Sequence, residues 1–358
     1  MSYQEKLKAL KVVELAQVLA GPAVGMFFAE LGAEVVKVEN ILTGGDLTRK
    51  WKVAGEDPST PLSAYYHTVN WHKKVLMMNL SEEKDQSALH VLLKDADILL
   101  VNFKAGDAEK FGLVSSVLRD RYPRLIIGEI IGYVDSDRVA YDAVLQAESG
   151  FMYMNGEAGD PPLKMPVALI DLLAAHQLKE ALLLALLKRE WEGTGSVVSV
   201  ALYNAAVASL ANQASTYLNT GIIPARQGSL HPGIAPYGEV FTAADQVDIL
   251  MAVGTDEQFR RLLDVLHLEE LLPEAKFRTN AERVIHRKEL KVFLSSAIGK
   301  VSSTDLLQQL SDKKVPAAAI KNMAEVFGEP VAADMVLTQL EENGKYSKRV
   351  STVAFKID

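Results

Sequence analysis

The chain is 358 residues long, with 49% hydrophobic and 23% charged side chains, a composition that excludes disordered, collagen-like and low-complexity proteins. At this length about two domains are expected. Acids outnumber bases 46 to 38, a net charge of -8, which argues against nucleic acid or an anionic membrane as partner, since both require a cationic face.

The absence of cysteine removes disulfides, thiolate nucleophiles, zinc fingers and iron–sulfur clusters, and suits a reducing compartment. The first ten residues, MSYQEKLKAL, lack the apolar core and cleavage site of a secretory signal. The most apolar run, Ala181 to Leu187, is flanked by charges and is far shorter than the roughly 20 residues of a membrane span. A cytoplasmic protein is expected.

In chain order, Lys11 to Leu15 reads as a strand, Ala23 to Leu31 as a helix stopping at Gly32, and Val35 to Val38 as a second strand. Asp97 to Val101 and Leu125 to Ile131 are further strands. Leu172 to Glu190 is a long helix, broken by Gly193 and Gly195, followed by a strand at Val197 to Leu202 and a helix at Ala205 to Leu218. This alternation predicts an α/β fold with a Rossmann-like parallel sheet in a large domain, residues 1–220. Gly221, Pro224, Gly228, Pro232, Gly233, Pro236 and Gly238 mark residues 221–238 as a linker or functional loop. Residues 239–314 form a smaller α+β domain, with strands near Val240 and Val247 to Val253 and helices beginning near Thr255, Arg283 and Thr304. Residues 315–358 are expected to return to the large domain.

The opening βαβ unit imitates a dinucleotide site, but Pro22 and Ala23 follow Gly21 where the fingerprint needs a second glycine two residues on. The seven histidines include no i,i+4 pair, so no metal is expected. There is no G-x-S-x-G elbow and no phosphate loop of the G-x-x-x-x-G-K type. Carboxylates are what remain.

Asp171 follows the apolar run Pro166 to Ile170 and opens the long helix. An aspartate there can be a simple N-cap. The same helix terminus would also hold the carboxylate ionised and offer N–H donors to an adjacent oxyanion, which suits a nucleophile in acyl transfer. Tyr141 and Asp142, past a strand end, stand where α/β proteins place ligands, or are a packed tyrosine and a surface acid. Asn102 and Phe103 could bond and stack on a base, or serve as a turn and a core residue.

Taken together these segments resemble the family III CoA-transferases of the CaiB/BaiF type, the group including formyl-CoA transferase and α-methylacyl-CoA racemase. The carriers are VLAGPAVGMFFAELGAEVVKVEN with GGDLTR (Gly44 to Arg49), NWHKKVLMMNLS (Asn70 to Ser81), NFKAGDAEKFGL (Asn102 to Leu113), AYDAVLQAESG (Ala140 to Gly150) and PVALIDLLAAHQ, spanning nearly the whole chain. The resemblance implies an interlocked homodimer with each active site between the large domain of one chain and the small domain of the other. It implies that Asp171 is the nucleophile of an acyl-CoA:carboxylate CoA-transferase, forming mixed-anhydride and aspartyl-CoA thioester intermediates, with acyl-CoA and a small carboxylic acid as substrates and no tightly bound cofactor. By position it places coenzyme A contacts at Leu19, Ala20, Asn40, Met78, Asn79, Leu80, Ser81, Asn102, Phe103, Lys104, Lys110, Val139, Ala140, Tyr141 and Asp142.

Two departures stand out. Asn40 occupies a position where the family often has an arginine, leaving Lys37, Lys73, Lys74 or Lys110 to meet the adenosine phosphate. A glycine-rich shielding loop has its nearest equivalent in HPGIAPYG (His231 to Gly238). Racemases of this fold use His-Asp where Tyr141 and Asp142 stand; a phenol, with an ordinary pKa of ~10, is a poor base for an α-proton. An acyl-CoA racemase or epimerase, or a non-catalytic CoA-binding protein, is the alternative reading. A small dicarboxylate such as succinate is the donor by analogy. Arg138, Arg226 and Lys164 are the cations that could meet its second carboxylate.

Overall fold

The computed structural model describes residues 3–341 and 344–357. The strands β1 (Lys11–Glu14), β2 (Glu34–Asn40), β3 (Lys73–Met78), β4 (Ile98–Val101), β5 (Ile126–Ile131) and β6 (Val197–Ala201) form one parallel sheet in the order β3-β2-β1-β4-β5-β6. This is the doubly wound arrangement that the alternating pattern predicts. β4, ILLV, is buried along its whole length, as a central parallel strand covered on both faces must be.

Alternate residues of each strand face opposite layers. Val12, Val35, Ile98 and Ile126 pack against α1 (Ala20–Glu30), with the long helix that follows them in the sequence completing that layer. Val13, Leu99 and Ile127 pack on the other side against Leu89 and Leu93 of α2 (Glu83–Lys94) and Leu118 of α3 (Ser115–Arg121). Next come α4 (Asp142–Glu148), α5 (Leu169–Glu192) and α6 (Leu202–Ala208), of which α5 and α6 lie in the α1 layer.

Three boundaries differ from the sequence reading. α1 starts at Ala20, not Ala23, with Pro22 as its third residue, where a missing N–H leaves no ladder bond unmade. Gly21 allows that entry, because a Cβ there would lie 2.3 Å from Ala16 Cβ. β3 was not anticipated, since KKVLMM alternates poorly. α5 begins at Leu169, so Asp171 is its third residue rather than the residue before it.

The chain divides into two compact units, one of Met1–Phe151, Lys164–Ile222 and Asp334–Asp358, the other of Met152–Leu163 and Ile223–Ala333. In the second, β7 (Tyr237–Thr242), β8 (Asp248–Ala252) and β9 (Ala317–Ala319) form an antiparallel sheet in that order. Phe241, Ile249, Met251 and Phe277 build its core with apolar residues of α7 (Asp256–Leu266), α8 (Arg287–Ile298) and α9 (Ser303–Asp312). The expected return at residue 315 occurs only at Asp334, because residues 317–319 pair with β8 before the chain leaves. In the first unit, β10 (Val336–Leu340) and β11 (Tyr346–Val350) form an antiparallel pair.

Candidate active site

In a doubly wound sheet ligands bind where the strand order reverses, beyond the carboxyl ends of the strands. Here that point lies between β1 and β4. The expected contact positions follow the carboxyl ends of five adjacent strands: Leu19 and Ala20 after β1, Asn40 ending β2, Met78 to Ser81 at the end of β3, Asn102 to Lys104 after β4, and Val139 to Asp142 after β5. Lys110 is set further off, exposed at the end of the short helix Asp107–Lys110, its ammonium 5.2 Å from the Phe111 ring centroid. Leu19, Ala20 and Met78 bury their side chains in the core, so a ligand at these residues would meet backbone.

Asp171 is 9% exposed in the first turn of the 24-residue helix α5. It does not cap. The capping acceptor is Asp142, whose Oδ1 takes the Ile170 N–H at 2.8 Å while its Oδ2 takes Gln146 Nε2 at 2.6 Å. Among the described residues the Asp171 carboxylate has no hydrogen bond or ion pair. The expectation that the helix terminus holds it ionised is corrected here: burial first, then the field of Asp142, pushes its pKa up to about 7. Desolvation outweighs the helix dipole at this position. Tyr65 was not singled out from the sequence, where nothing in SAYYH marks it. Burial, then the fields of Asp171, Asp142 and Asp46, pushes its phenol up to about 12, so it stays a hydrogen-bond donor. Its ring packs edge-on to Trp51 at 5.2 Å. Tyr141 is half exposed just ahead of α4.

Beside this site lies a buried charge network. Glu14, at the end of β1, accepts from Lys37 Nζ at 2.8 Å and from Lys73 Nζ at 2.7 Å. Lys37 also donates to the Ala16 carbonyl at 2.7 Å and pairs with Asp46 at 3.1 Å. Glu39 holds Arg49 (Nε to Oε2, 2.6 Å), the Tyr66 hydroxyl at 2.8 Å and the Asp46 N–H at 2.8 Å. Glu14, Glu39 and Asp46 thus balance Lys37, Lys73 and Arg49. Burial works against the Lys37 ammonium, but the carboxylates of Glu14, Asp46 and Glu39 outweigh it and hold its pKa above the ordinary lysine value. Lys73 goes the other way, with burial lowering it to about 8 against the pull of Glu14. Gly25 of α1 makes room for the network, since a Cβ there would lie 1.8 Å from Glu14 Oε2.

Several expectations are corrected by this arrangement. Lys37 and Lys73 are spent on buried carboxylates and cannot meet a phosphate; Lys74 and Lys110 are exposed. Asn102 does not present a free amide to a base, because its Oδ1 accepts the Gln17 N–H at 3.0 Å and its Nδ2 donates to the Gln17 carbonyl at 2.8 Å. Arg138 is paired with Glu148. Arg226 donates to the Asp160 and Tyr153 carbonyls at 3.0 and 2.8 Å. Lys164 is exposed and donates to the neighbouring Met165 carbonyl. In the second unit the loop at 231–236 is held by side chains, with Arg287 donating to the His231 and Ile234 carbonyls, Asn280 to Gly233 and Arg283 to Ala235. Among the described residues no group of His, Asp and Glu is placed to hold a metal ion, and no helix is long and apolar enough to cross a membrane.

The fold is a doubly wound α/β sheet, and Asp171 lies buried in the first turn of α5 with no hydrogen-bond partner among the described residues. The sequence profile of CoA-transferase family III matches residues 7–358, and the chain belongs to that family. It is 36% identical over 331 residues to the succinate–glutarate CoA-transferase of Agrobacterium fabrum, covering 90% of this chain and 82% of that one. It is 32% identical over 348 residues to the succinyl-CoA:mesaconate CoA-transferase of Haloarcula marismortui, covering 94% and 86%. Among solved structures, a CaiB/BaiF family protein from Brucella suis superposes with a TM-score of 0.83 at 34% identity, covering 98% of this chain and 92% of that one. The protein is an acyl-CoA:carboxylate CoA-transferase.

Proposed function

We propose that the transfer runs through covalent intermediates on Asp171, with a small dicarboxylate such as succinate as the acid of the donor thioester. The observation that carries this reading is the Asp171 carboxylate itself, buried without a hydrogen-bond partner among the described residues while Asp142 does the capping. A desolvated carboxylate with a pKa near neutrality is a stronger nucleophile than a hydrated one.

An Asp171 oxygen attacks the thioester carbonyl, the C–S bond breaks, and a mixed anhydride and CoA thiolate result. The thiolate attacks the aspartyl carbonyl, releasing the donor acid and leaving an aspartyl-CoA thioester. The acceptor carboxylate attacks that thioester, freeing the thiolate again. Its final attack on the acceptor's carbonyl gives the new acyl-CoA and restores Asp171. Tyr65 and Tyr141 line this chemistry, Tyr65 as a donor that stays protonated throughout the working pH range. The residues after β1 to β5 hold coenzyme A. The donor assignment rests on the names of the relatives, which act on succinate, glutarate and mesaconate. The working form we infer is a cytoplasmic homodimer, consistent with the exposed Leu183, Leu184, Leu187 and Trp191 on α5.

The test is to mix the protein with a panel of acyl-CoAs, quench with hydroxylamine and map the Asp171 peptide by mass spectrometry. An acyl-CoA-dependent hydroxamate on Asp171 is expected; an unmodified Asp171 with CoA demonstrably bound overturns the covalent reading. The pH dependence follows from the same group. Only the ionised carboxylate attacks, so kcat/KM rises with pH through an apparent pKa near 7 and levels off above it. In Asp142→Asn the amide oxygen still accepts the Ile170 N–H, but the negative field is gone, so the acid limb moves to lower pH. A limb that stays in place assigns it to another group.

A further inference from the structure

Where β1 ends, the chain turns into α1 through Val18, which has φ of 72°. A β-branched side chain is a genuine outlier in this left-handed region, and such strain persists only where the surroundings enforce it. The enforcement is visible atom by atom. The Ala16 carbonyl accepts from Lys37, the Gln17 N–H and carbonyl are both held by Asn102, and the Val18 N–H points between the two oxygens of Asp46, 3.2 Å from Oδ2 and 3.4 Å from Oδ1. Three consecutive residues are therefore fixed by side chains from three other segments. Asp46 is 2% exposed and is itself held by Lys37 at 3.1 Å, by the Thr48 hydroxyl at 2.8 Å, and through its own N–H by Glu39. The next residue, Leu19, is the N-cap of α1 and makes no side-chain capping bond, so the first-turn backbone is placed by the turn before it.

We propose that Asp46 is a positioning residue for the reaction: by holding Val18 left-handed it sets where the Leu19–Ala20 backbone stands at the ligand-binding edge, and hence how tightly the acyl-CoA is bound. The inference rests on the reading above that coenzyme A binds at Leu19 and Ala20. A turn released from this hold relaxes toward an ordinary φ and carries the start of α1 with it. Chemistry at Asp171 is untouched, so the loss falls on binding common to ground and transition states.

The experiment is steady-state kinetics on Asp46→Asn, alone and combined with Val18→Gly. Asp46 accepts main-chain N–H bonds on both oxygens, from Thr48 on Oδ1 and from Val18, with the Lys37 ammonium, on Oδ2, so an amide with a single acceptor oxygen cannot keep both sets. The single variant is expected to raise KM for acyl-CoA roughly 10- to 100-fold with kcat changed less than about threefold. Glycine takes positive φ without steric cost, so Val18→Gly in the Asp46→Asn background returns KM to within about threefold of the parent. A merely structural loss at a buried aspartate would not be repaired by changing Val18. An unaltered KM in Asp46→Asn, or a double variant no better than the single, overturns the proposal. Should Asp46→Asn fail to fold, Thr48→Val, which removes one prop of Asp46, carries the same test: a KM rise of several-fold, reversed by Val18→Gly. Hydroxylamine trapping on the unaltered enzyme reports on the covalent reading, and equilibrium CoA binding by the same enzyme reports on the binding reading, so failure of either is told apart from failure of this one.

Discussion

Asp171→Asn is expected to lower kcat by roughly four orders of magnitude or more, the scale seen when a covalent nucleophile is removed, and to abolish the hydroxylamine-trapped adduct. Asparagine keeps the shape but cannot form the anhydride. The change should not cost stability. In the folded protein the Asp171 carboxyl ionises near pH 7, against about 3.9 in an unfolded chain, so the folded state binds more protons across that interval. Stability contributed by this group is therefore present below about pH 4 and falls as pH rises toward 7. Asparagine removes the penalty, and thermal unfolding at pH 8 should occur at the same or a higher temperature in the variant. An Asp171→Asn protein that unfolds many degrees earlier, or one that retains a tenth of the turnover, would refute the assignment.

The second large effect concerns Glu14. Both its partners, Lys37 and Lys73, have fully buried ammonium groups. Glu14→Ala strips the carboxylate from two buried cations at once, and breaking a buried pair in this way typically costs about 3–5 kcal/mol. We expect a loss of at least that size in chemical denaturation, a large fraction of the stability of a domain. Asp264→Ala, at an ion pair of similar length (2.7 Å to Lys313) but with both partners about half exposed, is the control and should cost far less, because water screens an exposed pair. Equal effects at the two sites would show that the buried network is hydrated and contributes no more than a surface pair. The comparison also bears on the turn at Val18, because Lys37 links Glu14 to Asp46.

Much of this was legible before any coordinates. Local patterning is enough for β1, β2, β4, β5 and β6, because a parallel strand buried on both faces must read as a short continuous run of Val, Ile and Leu. Asp171 was legible as a candidate because it interrupts an apolar run at the start of a long amphipathic stretch. The motif GGDLTR, one of the segments that carry the resemblance, contains Asp46 and Arg49, but nothing in its letters gives either a role. What failed locally failed for stated reasons. KKVLMM has no strong alternation, so β3 is a strand only because it pairs with β2. The start of α1 was misplaced because a Gly-Pro dipeptide reads as a turn when its contact with Ala16 is unknown.

The sequence by itself determined the class of fold and the absence of thiol chemistry, since these depend on composition and on periodicity within single segments; the proposed role of Asp171 came from the family resemblance, not from its own segment. Only the tertiary structure decided which carboxylate caps α5 and which has no partner among the described residues, because Asp142 and Asp171 are 29 positions apart and look alike as letters. It also decided that Lys37 and Lys73 are spent on buried carboxylates, and that the Asn102 amide braces the Gln17 backbone. Each of these depends on burial and on partners brought together from distant segments, and the energy of a charge or an amide is set by that environment rather than by its neighbours in the chain.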